Sequence, residues 1–66
     1  MLPRFEYWQS DEDFNWYFHL RSPKGGIIFQ SAGYESEDEC LEGIELVRRY
    51  AEVAVVVYDQ QSVEVR

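Results

Sequence analysis

The alternation of apolar and polar positions divides the chain into strands first and a helix later. Across residues 4–9, Phe5 and Tyr7 fall on one face of an extended segment, and Glu6 and Trp8 on the other. The run 10–13 (Ser10-Asp11-Glu12-Asp13) is polar, with the side chains that favour turns. Residues 14–21 show the clearest period of two. Trp16, Phe18 and Leu20 share a face that predicts the core, and Asn15, Tyr17, His19 and Arg21 share a wetter one. Ser22-Pro23-Lys24-Gly25-Gly26 predicts a tight turn, because Pro23 presets φ and Gly25 accepts positive φ without a Cβ clash. Residues 27–31 then form the third strand, paired with the second as a hairpin.

The period changes from two to 3.6 after Tyr34. Ser36 is placed to cap a helix, with Glu39 three residues on as the partner of a capping box. Glu37, Asp38 and Glu39 lie in the first turn and Arg48 and Arg49 in the last, each where the helix dipole favours its charge. Cys40, Leu41, Ile44, Val47 and Ala51 form the apolar stripe, with Glu42 and Glu45 towards solvent. Gly43 costs about 1 kcal/mol relative to alanine in a helix interior. Its place at the edge of the stripe predicts close approach of helix and sheet.

Residues 53–58 (Val53-Ala54-Val55-Val56-Val57-Tyr58) are continuously apolar and mostly β-branched. Strands of that kind are usually covered on both faces, which is unexpected at the end of so small a domain and implies a partner. Residues 63–66 alternate again, so 60–66 form a further short strand or a tail. The expected architecture is α+β: a three-stranded antiparallel meander, one helix and a C-terminal strand, β-β-β-α-β, in one domain over 1–66.

Size sharpens the need for a partner. A chain of 66 residues buries only about 60% of the surface its unfolded form exposes. Cys40 is the single cysteine, so no intrachain disulfide is available. His19 and Cys40 are too few for a structural zinc site, and no metal or other cofactor is expected. Eleven aromatic side chains exceed what one buried face of a small sheet accommodates, and the surplus points to an interface.

A net charge of −7 argues against nucleic acid and against anionic membranes. No apolar run is long enough to span a bilayer and no signal peptide is visible, so the expected compartment is the cytoplasm.

The stretch from Gly25 to Ala51 resembles the YegP-like family of small uncharacterised proteins. Gly26-Ile27-Ile28, Ser31, Gly33-Tyr34, Ser36, Gly43-Ile44, Val47 and Arg48 carry the resemblance, which extends over roughly residues 4–58. It implies a three-strand, helix, strand unit. Family members with two tandem copies intertwine them through their last strands, so a one-copy member is expected to do the same between two chains. The chain departs from the pattern at Arg49-Tyr50, where an Asn is usual, and at Tyr17 and His19, where the second strand usually carries cations. The family transfers no activity and no catalytic residues.

Candidate chemistry is sparse. His19 has no recognisable catalytic companions, and a strand histidine on the wet face accounts for it more simply. Cys40 lies on the core stripe, where it behaves as a small hydrophobe. Asp11, Glu12 and Asp13 lack the glycine and distal Glu of a calcium loop, and Gly25-Gly26 lacks the strand–loop–helix setting of a phosphate cradle. The expectation is a homodimeric binding or interaction module without catalysis, its interface built on Val53, Val55, Val56, Val57 and Tyr58. An alternative is a small-ligand-binding protein or enzyme whose site joins Tyr17, His19, Arg21 and Tyr34 at the dimer seam. A second alternative is an acidic protein that binds a basic partner through Glu35, Glu37, Asp38, Glu39, Glu42 and Glu45.

Overall fold

The structure is a computed structural model that describes residues 1–59. Strands β1 (Arg4–Gln9), β2 (Trp16–Arg21) and β3 (Ile27–Gln30) form one antiparallel sheet in the order β1-β2-β3, and helix α1 (Glu37–Tyr50) follows. The meander and helix expected from the sequence are present.

Each connection has a local cause. In the β1–β2 loop, Ser10 Oγ accepts from Glu12 N–H (3.1 Å) and Asp13 Oδ1 accepts from Asn15 N–H (2.9 Å). Phe14 closes the loop in the left-handed region (φ 61°) and donates its N–H to Ser10 O (3.0 Å). That conformation is incompatible with a strand, so β2 begins at Trp16 rather than at the expected residue 14. The β2–β3 turn closes through Ser22 N–H to Gly26 O (2.7 Å), with Gly25 at φ 98° as its glycine predicts. Tyr34 returns to the sheet as an isolated bridge to Trp16, and Ser36 then caps α1, its Oγ accepting from Glu39 N–H (3.1 Å).

Helix α1 crosses β2 and β1 and leaves β3 uncovered. Among the described residues the buried apolar core is Phe18, Cys40 and Ile44, flanked by Phe5, Trp16, Tyr34 and Val47. Gly43 permits the contact: a Cβ there would lie 2.8 Å from Tyr34 Cζ and 3.3 Å from Phe18 Cε2. Tyr34 in turn stacks on Phe18, with centroids 6.1 Å apart. The expected close approach of helix and sheet is therefore made through Tyr34.

The expected C-terminal strand is not formed within the single chain. Residues 54–59 carry no regular secondary structure, and Val53, Val55, Val56, Val57 and Tyr58 are 72% to 100% exposed. Within the single chain these residues pair with no strand of the sheet, and a segment without a neighbour leaves its ladder unmade. The further strand or tail expected at 60–66 lies outside the described residues.

Candidate functional site

The register of β1 and β2 places Glu6 opposite His19 and Trp8 opposite Tyr17. All four project from the sheet face turned away from α1, because alternate residues share a face. His19, expected on a wet face, is only 9% exposed. Trp8 covers it, with ring centroids 4.9 Å apart.

Glu6 is the hub of the charged half of this face. Its Oε1 accepts from His19 Nε2 (2.6 Å) and Arg21 Nε (2.8 Å), and its Oε2 accepts from Arg4 Nε (2.7 Å). These donors hold the Glu6 carboxyl down at about 2, with the His19 bond the largest cause and Arg21 next. An ionised carboxylate only accepts, so His19 carries its proton on Nε2. His19 Nδ1 is buried without a hydrogen-bond partner among the described residues. Arg21 also donates through Nη1 to Gly25 O (2.5 Å), which ties it to the β2–β3 turn.

The other half of the face is aromatic and acidic. Trp8 and Tyr17 stack nearly parallel, 6.1 Å between centroids and 21° between planes. Tyr17 Oη donates to Asp13 Oδ2 (2.6 Å), which lowers the Asp13 carboxyl and raises the Tyr17 phenol from their ordinary values. An open notch of about 260 Å³ lies here, lined by Trp8, Ser10, Glu12, Asp13, Tyr17 and Gln30.

Of the residues singled out in the sequence, the structure brings Tyr17, His19 and Arg21 together on this face. Tyr34 lies on the opposite one, between Phe18 and α1. Sequence reasoning missed Glu6 and Asp13 as partners. Period-two alternation puts Glu6 and Trp8 on one face, but their pairing with His19 and Tyr17 depends on a loop whose closure by Phe14 is not legible. Cys40 is completely buried, and burial raises its thiol. Among the described residues no group of His, Cys, Asp and Glu has the arrangement of a metal site, and no helix is long and apolar enough to cross a membrane.

Comparison with known proteins places this geometry in a wider setting. The family model described as "Domain of unknown function (DUF1508)" matches residues 11–57. A "UPF0339 protein" from Methanosarcina acetivorans is 40% identical over 47 residues, 71% of this chain and 81% of that protein. The NMR solution structure of a protein from Haloferax volcanii superposes with a TM-score of 0.76 at 29% identity, over 86% of this chain and 95% of the other.

Proposed function

The chain belongs to the DUF1508 family of domains of unknown function, the YegP-like family its sequence resembles, and we propose that it acts as a non-catalytic interaction module built from two chains. In this reading each chain lends residues 53–58 to the other as a fourth strand. The observation that carries it is the exposure of that apolar segment in a chain whose edge strand β3 also leaves apolar side chains exposed. Val56 is 100% exposed, and Ile27 and Ile28 in β3 are 52% and 58% exposed. Strand addition at the β3 edge covers both surfaces and supplies each with main-chain hydrogen bonds.

Two further observations support the pair. A core of Phe18, Cys40 and Ile44 is small for a domain that has no disulfide to assist it. The radius of gyration is 14.4 Å, against about 11 Å for a compact chain of this length, as expected of a chain that extends a segment towards a neighbour. The absence of catalysis rests on the state of the candidate groups. His19 is buried against Glu6 and Trp8, and the Cys40 thiol is enclosed with its ionisation disfavoured.

Light scattering across a concentration series tests the assembly. The predicted mass at micromolar concentration is twice the 7.9 kDa of one chain. A mass of one chain throughout the series contradicts the reading.

A further inference from the structure

Helix α1 lies over β1 and β2, so its two flanks meet different surroundings. One flank is turned to β1, where Tyr7 Oη donates to Glu37 Oε2 (2.8 Å). The other is marked by Gly43, which faces Tyr34. Trp16 pairs with Gln9 on its β1 side, so its bridge to Tyr34 lies on the β3 side of β2. Residues three and seven positions beyond Gly43 share its flank, which turns Leu46 and Tyr50 to the β3 side. Both are large and open, 44% and 54% exposed. On the strand itself, Phe29 pairs with Leu20 and meets Phe18 edge-on (6.1 Å), so it shares the helix side of the sheet, and it remains 37% exposed.

The connection between α1 and the 53–58 segment indicates what covers this surface. Ala51 N–H donates to Val47 O (2.9 Å), and Val53 N–H (3.1 Å) and Ala54 N–H (2.9 Å) both donate to Tyr50 O. The chain thus leaves the helix in hydrogen-bonded turns, without a free linker. Even fully extended, the three steps from Tyr50 to Val53 span only about 10 Å. A segment lent to a neighbour's β3 therefore carries the end of its own helix with it.

We propose that the α1 flank of a second copy covers this surface: Leu46 and Tyr50 of each chain enter the seam against Phe29 of the other. The pair is then held by helices as well as by exchanged strands. This deepens the two-chain reading and rests on it.

The layer arrangement calls for such a contact. Strand addition lengthens the sheet at β3, the side that α1 leaves bare, and a sheet buries its apolar face by packing another layer on it. A second helix, delivered by the same neighbour, supplies that layer. The side chains suit the task, since a buried tyrosine or leucine brings large apolar area and aromatic residues are enriched among interface anchors. Leu41 provides the contrast. It lies one turn beyond Glu37 on the β1 flank and is 39% exposed, with no exchanged strand on its side.

The test is sedimentation equilibrium on the full chain and its Leu46→Ala, Tyr50→Ala, Leu41→Ala and Val56→Glu variants. Leu46→Ala and Tyr50→Ala should each weaken the dimer about tenfold, and Leu41→Ala should change its dissociation constant by less than about twofold. The parent supplies a second reading that needs no variant to fold: isotope-filtered NOEs from the Leu46 methyls of one chain to the Phe29 ring of the other. Unchanged dissociation constants in both flank variants, equal weakening by Leu41→Ala, or Leu46 NOEs confined to its own chain overturn the proposal. The variants also separate the two readings. A dimer that tolerates Leu46→Ala and Tyr50→Ala but is broken by Val56→Glu removes only the helix contact. A dimer weakened by the flank variants and indifferent to Val56→Glu removes only the exchanged strand, and a monomeric parent removes both.

Discussion

Gly43 shows how one missing side chain positions two elements. Its α-carbon faces Tyr34, which is itself stacked on the fully buried Phe18. Gly43→Ala gains helix propensity of about 1 kcal/mol, yet it pushes a Cβ into the Tyr34 ring, and overpacking costs typically ~1–3 kcal/mol. The overlap involves a ring packed on both sides, so the net effect should be a lower melting temperature, read by circular dichroism. A melting temperature at or above that of the parent would show that Tyr34 yields freely. Glu6 gives a second prediction at this scale. Its carboxyl titrates at about 2 when folded against an ordinary value of 4.5. The stability it contributes is therefore complete above pH 4.5 and is lost as the pH falls towards 2. Glu6→Gln should lower the melting temperature near neutral pH and flatten its decline across that acidic window. A variant whose decline parallels the parent's would mean that the His19 and Arg21 bonds do not stabilise the fold.

At the scale of elements, the sequence was most readable where local chemistry decides the outcome. Strand β1 follows from alternation alone. The start of α1 follows from Ser36, whose hydroxyl accepts the Glu39 N–H as the capping pattern requires. The β2–β3 turn follows from Gly25. Readability failed where conformation depends on closure between elements. Phe14 continues the apolar pattern of a strand, yet the hydrogen bonds of the 10–15 loop hold it at φ 61° and shorten β2. The burial of His19 likewise needs the β1–β2 register, because only that register brings Trp8 over it. Residues 53–58 pose the reverse case. Their composition is that of a covered strand, while the single chain gives them no cover. If another copy supplies it, deleting residues 53–66 should abolish cooperative unfolding, followed by near-ultraviolet circular dichroism. A truncated chain that melts cooperatively at the parent temperature would show that the segment is dispensable.

At the scale of the whole molecule, the exposed C-terminal segment and the uncovered β3 edge belong to one account. Each is apolar, each lacks main-chain pairing on one side, and an edge left in that condition invites association. The charge of −7 opposes indiscriminate aggregation, so pairing is steered towards specific contacts. In the proposed reading, the 53–58 segment of one chain and β3 of the other build the molecule. The most direct test of the central claim is an isotope-filtered NOE experiment on a mixed sample of 13C-labelled and unlabelled chains. The account predicts intermolecular NOEs between the Val55, Val56 and Val57 methyls of one chain and Ile27, Ile28 and Phe29 of the other. NOEs from those methyls only to protons of their own chain would contradict it.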